Sequence, residues 1–425
     1  MSRANTIHNM KNSSIKFVLA LVALIMLIAY PCQAAVLYDV QGIGNLPGLE
    51  ADNAAPAAIN ENGVYVVQSF HGGTIRSSYG KDGGPLTEIR YPEKVDTVWV
   101  SDINESGQVV GEIGLVYGPN VPDGNSSAFV WDKHSGFTDL GDLPGGDDFS
   151  YAIGINDHGQ VVGSSLTGME EKFGVGSAFI WDATEGMRQI PDSPTGYHPH
   201  SADDINDQGV VAGVAETPDG TQRAYIWGPD NGFLDLGTLR GGEGFSVAYA
   251  LNDNGQVVGM SSAVGAEDAS HAFLWDPVLG LIDIGDFAGG LVLSNASDVN
   301  DKGQVVGYGR AADGSQAFLW TRDQGLMDLN DFIDPHSEWS LTGATAINNA
   351  GLIVGYGKNP AGDYEGFILT PRTTSVPLPA SAWLLLVGLC AISVPGIWAS
   401  MRQGSRSGAG GSARSPYYPT PPRQR

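Results

Sequence analysis

Three kinds of short phrase set carboxylates or imidazoles at spacings that could do chemistry. In "DINDQG" (Asp204 to Gly209), "DINESG" from Asp102 and "DVNDKG" from Asp298, an Asp, an Asn two places on and a Gly at the sixth place mimic the start of a calcium loop. Such a loop also needs an oxygen donor at its fifth place and a Glu at its twelfth. The fifth places are Gln208, Ser106 and Lys302, and the twelfth are Ala215, Ile113 and Gly309. The corners therefore read as structural turns, with calcium the alternative and no metal-ligand set assigned. "YHPHS" puts His198 and His200 two apart, so both could face one way on a strand, but two imidazoles lack a convergent third ligand. "GGDDFS" holds the carboxylate pair Asp147 and Asp148, and "GGEGFS" holds Glu243 in the matching loop. Paired carboxylates serve glycoside chemistry in some enzymes; here they read first as part of a general acidic surface. These five residues are the candidates for a binding face. The sequence has no serine-hydrolase elbow and no HExxH, no helix follows the Gly pairs as a phosphate cradle requires, and no catalytic residue is assigned.

The elements that hold these residues repeat. Asn-x-x-Gly occurs at Asn60, Asn104, Asn156, Asn206, Asn252, Asn300 and Asn348, a period near 48 residues. Six units carry a second glycine seven places after the Asn; the first, with Val67 there, is degenerate. Then come "SAFVW", "SAFIW", "RAYIW", "HAFLW" or "QAFLW", and a third phrase such as "GFLDLGTLRGG". Each unit reads as four short strands: a ending in Ile-Asn, b as "QVVG", c as "AFLW", d as "LIDIG". The Asn-Asp-x-Gly between a and b is hairpin-corner chemistry, with Gly at a positive φ. Trp131, Trp181, Trp227, Trp275 and Trp320 recur at the end of strand c and read as core packing rather than sugar-stacking platforms.

Runs such as "VV" and "AFLW" do not alternate polar with apolar, so the inner strands are buried on both faces. The expected fold is all-β: a seven-bladed β-propeller of four-stranded blades. "LYDVQGIGNLPG" looks like a strand d with no unit before it, and the last unit stops after strand c at "GFILTPR". Tyr38 to Ile43 should therefore pair with Gly366 to Thr370 and close the ring. The loops that vary most, b–c and d–a, then share one face at the channel mouth, where a site is sought.

The ends read as addresses. Arg3, Lys11 and Lys16, then "FVLALVALIMLIAY" and "CQA", describe a secretory signal helix over residues 1–34. Between this leader and residue 379 stand 14 of the 22 basic residues and all 47 acidic ones, a net charge near −33. That surface excludes nucleic acid as a partner. Both cysteines, Cys32 and Cys390, lie in the terminal segments, so the body has no disulfide and no thiol chemistry. After a linker and "VPLP" (373–379), residues 380–401 are apolar enough for a transmembrane helix, and a basic tail (402–425) follows. Basic residues stay cytoplasmic, which leaves the repeats (35–372) outside.

The units "HAFLWDPVLGLIDIGDFAGG" and "INDHGQVVG" resemble the HAF repeat of bacterial exported proteins, over roughly residues 36–372. Val376, Pro377, Leu378, Pro379, Ala380 and Trp383, with the apolar run and Arg, resemble a PEP-CTERM sorting signal of the VPLPA type. Those resemblances imply recognition by an exosortase-type enzyme of a Gram-negative bacterium that makes exopolysaccharide. They imply membrane association through the C-terminal helix before processing, and a final place at the cell surface, the outer membrane or the extracellular matrix. They imply no enzymatic activity. The expected function is a non-enzymatic binding or structural module for exopolysaccharide or surface proteins, without an obligatory cofactor. The alternative is a polysaccharide-active hydrolase or lyase.

Overall fold

Strand b of each repeat shows why this sequence makes stacked sheets. Val161–Leu166, "VVGSSL", has five successive residues out of solvent. A strand flanked by sheets on both faces needs this continuous burial. The computed structural model describes residues 37–46, 53–71, 74–91, 95, 97–114, 126–145, 149–166, 176–264 and 269–372. The leader, Asp147, Asp148, the "VPLP" motif and the apolar C-terminal run lie outside the described residues. Among the described residues no helix is long and apolar enough to cross a membrane.

Those residues form a β-propeller. Repeats three to six each make one four-stranded antiparallel sheet in chain order, as in Ser150–Ile155, Val161–Leu166, Gly176–Asp182 and Gly186–Gln189. The first two repeats form an eight-stranded sheet, joined by a single parallel pairing of Ile75 with Thr97. The last sheet is composite. Leu37–Gly42 lies antiparallel to Tyr364–Arg372, with Tyr38 opposite Pro371 and Gly42 opposite Phe367. The Ile43 amide continues the ladder to the Gly366 carbonyl at 2.9 Å. The spare strand at one end thus fills the vacancy at the other, and an exposed sheet edge is removed.

Between neighbouring sheets lie apolar clusters, each fed by two repeats. One joins Val162, Ala178 and Ile180 of the third repeat to Ala202, Ile205 and Val211 of the fourth, with Trp227 packed on its margin. The second glycine of six repeats has a steric role there. Gly111, Gly163, Gly213, Gly259, Gly307 and Gly355 stand directly across from an aromatic residue of strand c, for example Gly163 from Phe179 and Gly213 from Tyr225. A Cβ on Gly259 would lie 1.9 Å from the Val247 carbonyl oxygen. In the first repeat Val67 faces Ser78, so the bulk has crossed from strand c to strand b.

Candidate functional site

The repeated corner is built from its Asn. In all seven corners the Asn Oδ1 accepts the amide four residues on, at 2.9–3.1 Å. The Gly amide returns to the Asn carbonyl at 2.9–3.0 Å. These glycines have φ of 70° to 82°, a region that side chains resist. The remaining Asn group reaches outward. Each Nδ2 donates to the main-chain carbonyl of the next corner Asn, from Asn60 through Asn104, Asn156, Asn206, Asn252 and Asn300 to Asn348, at 2.9–3.2 Å. Asn348 then donates to Asn60 at 3.0 Å, and the circuit closes. All seven Asn are 2–5% exposed. A buried amide left unpaired costs about 1–3 kcal/mol, so the circuit forces each corner to sit against its successor.

A second circuit lies beside the first. The residue after each Asn is Glu61, Glu105, Asp157, Asp207, Asp253, Asp301 or Asn349. Its backbone amide donates to the side chain of the next one, from Glu105 onto Asp157 at 2.8 Å round to Asn349 onto Glu61 at 2.7 Å. The two circuits line a central cavity of about 230 Å³. Burial holds the carboxyls of Glu61, Glu105 and Asp253 above their usual range, opposed by the amides they accept and reinforced by neighbouring carboxylates.

Behind this mouth the repeats alternate. Every strand a carries a β-bulge just before the residue two places ahead of the corner Asn. Such a bulge re-aims the side chain that follows it. That residue is Asp102, Asp204 or Asp298 in repeats two, four and six, and Ala58, Gly154, Ala250 or Ala346 in the others. Each Asp accepts its neighbour's amide at 2.7–2.8 Å and an amide of the next repeat (Ile155, Leu251 or Ile347) at 2.8–2.9 Å. A Cβ on Gly154 would already lie 2.9 Å from the Asp204 Cα. Burial pushes the Asp298 carboxyl up to about 7 and holds Asp102 and Asp204 above the ordinary value, the Asp102 charge adding to Asp204. The Asp of the calcium-like phrase therefore turns both oxygens to backbone amides and serves as a tie between sheets.

Of the other candidates, His198, His200 and Glu243 lie among the described residues. His198 opens strand a of the fourth repeat, His198–Ile205, with Nδ1 2.8 Å from Asp192. His200 falls at a second bulge, between Pro199 and Ser201, so the alternation that would align the two imidazoles is broken. Burial depresses His200, against the charge of Glu216, which lies across from His198. Glu243 is exposed on a d–a loop pinned by Arg223, whose guanidinium donates to the Gly242 carbonyl at 2.7 Å and to the Gly244 carbonyl. The structure does not gather His198, His200 and Glu243 into one group, and among the described residues no cluster of three His, Cys, Asp or Glu is arranged to hold a metal ion. The tryptophans depart from the core-packing expectation in degree: Trp320 is 6% exposed, but Trp131, Trp181, Trp227 and Trp275 are half-buried at the seams between sheets. The circuits and the alternating Asp ties escaped the sequence reading, although the Asp-small alternation two places before each Asn was visible in it.

A sequence-family model described as "Protein of unknown function (DUF3466)" matches residues 241–358. No curated protein matches the chain. Among solved structures the chain is similar to a streptogramin B lyase at 12% identity and a TM-score of 0.39, covering 79% of this chain and 98% of that one. It is similar to a prolyl endopeptidase at 12% identity and 0.47, covering 88% and 56%. It is also similar to the BP39L lectin from Burkholderia pseudomallei at 13% identity and 0.40, covering 75% and 99%.

Proposed function

We propose that the chain is an exported, seven-bladed propeller of HAF-type repeats that acts as a non-enzymatic binding module for exopolysaccharide or a surface protein. In this reading residues 1–34 direct export. Val376, Pro377, Leu378 and Pro379 present the C-terminal segment to an exosortase-type enzyme, and the propeller is left at the surface or in the matrix. The observation that carries the binding reading is the distribution of charge at the central mouth. Six carboxylates and one amide stand one per repeat, and each accepts a backbone amide of the preceding corner. A hydrolase or lyase needs a few groups of unlike protonation converging on one bond. A ring of like groups, each committed to its neighbour, supports a scaffold instead.

The test is to present purified residues 35–375 with exopolysaccharide of the producing bacterium, with and without calcium. Retention of the polysaccharide with no new reducing or unsaturated ends is expected. Cleavage of the polysaccharide, at any calcium level, refutes the non-enzymatic reading. The sorting reading is tested by mass: the surface form should lack residues beyond the "VPLP" segment, and altering Pro377 and Pro379 should leave the tail attached.

A further inference from the structure

Two further cavities lie at seams between sheets, each sharing one carboxylate of the central circuit, Asp207 or Asp301. One, of about 260 Å³, lies between the third and fourth repeats and is lined by Gln160, Ile180, Arg188, Asp207 and Trp227. The other, of about 240 Å³, lies between the fifth and sixth and is lined by Gln256, Leu274, Asp301, Trp320 and Arg322. Position by position the amide, the aliphatic wall, the carboxylate and the indole correspond. The guanidinium does not: Arg188 comes from strand d of the earlier repeat, and Arg322 from the c–d corner of the later one. Yet both meet the same partner, the Asp that follows the indole of the earlier repeat. Arg188 pairs with Asp182 at 2.5 Å and Arg322 with Asp276 at 3.5 Å. In both cases the other carboxylate oxygen caps the c–d corner. Other repeats have Thr138, Leu234, Ile282 or Met327 where Arg188 stands, and Lys133, Ala183, Pro229 or Pro277 where Arg322 stands. Two unrelated positions thus deliver one guanidinium to one place. Both seams are also ones the buried Asp ties skip, since those ties run from repeats two, four and six to the next.

We propose that these two seam cavities each bind one neutral pyranose ring of a polysaccharide; this rests on the reading of the chain as a glycan-binding module. The cavities are smaller than the ~300–1,000 Å³ of sites for drug-sized ligands, which suits a single ring. Indole and aliphatic walls take the C–H surface of a sugar, and its hydroxyls meet the N–H groups of Arg188 that Asp182 and Glu185 leave over, those of Arg322 beside Asp276, and the second oxygen of Asp207, while both Asp301 oxygens already accept from Asp253 and Asn349. The ligand is neutral because each guanidinium is already matched by a carboxylate and the body is strongly acidic, which opposes uronates. Two rings held on one chain raise the avidity for a polymer without any further contact.

The full chain is titrated calorimetrically with methyl glycosides of glucose, galactose, mannose, fucose and N-acetylglucosamine, and separately with purified exopolysaccharide. At least one glycoside should bind at two sites per chain. Arg188→Lys and Arg322→Lys keep the charge but lose the fork, and each should weaken one of the two sites about tenfold, the loss of one charge-assisted hydrogen bond. Arg188→Met and Arg322→Met should each leave a single site. Both arginines are close to half exposed, so unchanged melting temperatures are expected and are measured alongside. Absence of binding to every glycoside, a count other than two, or sites indifferent to all four variants overturns the seam proposal. If the Arg188→Met, Arg322→Met double variant holds exopolysaccharide as tightly as the parent, the seam sites fail while the binding function stands. If the parent holds neither glycoside nor polysaccharide, both fail.

Discussion

Replacing Asn206 by Asp separates two accounts of the repeated corner. As a turn residue Asp is nearly as good as Asn, because either side chain accepts the local amides. As a clasp it is not, because the Nδ2 donation to the Asn252 carbonyl at 3.2 Å is lost and an oxygen faces an oxygen. Asn206→Ala removes that bond and the acceptor for the Val210 amide at 3.0 Å as well. With Asn206 only 5% exposed, stranding the Val210 amide costs about 1–3 kcal/mol and the lost bond to the Asn252 carbonyl, which keeps the Gly255 amide, about 0.5–1.5 kcal/mol, so the Ala variant should lose about 2–4 kcal/mol. The Asp variant keeps the local bonds and should still lose about 2 kcal/mol or more at neutral pH. It should recover part of this as the pH falls, when the protonated carboxyl can again donate. The assay is urea unfolding followed by tryptophan fluorescence and far-ultraviolet circular dichroism. An Asn206→Asp variant within about 0.5 kcal/mol of the parent at neutral pH would refute the clasp and leave only a turn.

Three further outcomes are expected. Gly259→Ala drives a Cβ toward the Val247 carbonyl, 1.9 Å from it, and should destabilise by about 1–3 kcal/mol or more in the same unfolding assay. Stability should fall as the pH rises from about 4 to about 7. Burial pushes the Asp298 carboxyl up to about 7 in the folded chain against an ordinary 3.8, so the folded state holds more protons in that window, and Asp298→Asn should flatten the slope between unfolding midpoints at pH 4.5 and 7.5. Deleting residues 1–43 strips the strand that covers Tyr364–Arg372, and the freed edge should make the shortened chain dimerise or aggregate on size-exclusion chromatography.

The pairing of Leu37–Gly42 with the last repeat was legible because a count of strands leaves one over at the first end and one short at the last. The corners were half legible. Asn and Gly announced a turn, but Nδ2 of Asn206 points to a residue 46 places away, and only the stacking of sheets brings the two together. Linear spacing likewise suggested that His198 and His200 share a face, and an extra residue in the strand at His200 undid it. The tryptophans were read as core from their fixed place in strand c. That place is a seam margin, where Trp131, Trp181, Trp227 and Trp275 pack against an apolar cluster between sheets, and Trp227 and Trp320 also border a cavity. The acidic residue after each Asn drew no reading of its own, because a single repeat contains the carboxylate but not the amide it accepts.

The join between the chain's two ends has a consequence for where the polypeptide begins. Six residue pairs knit Leu37–Gly42 to its partner, as many as join strands b and c in the third repeat, and Asn348 hands its amide to Asn60 as every other corner does to the next. Neither the strand pairing nor the corner circuit therefore marks an origin. A gene rewired to start at another d–a loop, with the present ends spliced by a short tether, encodes the same circle, and its new termini inherit the task of zipping it shut.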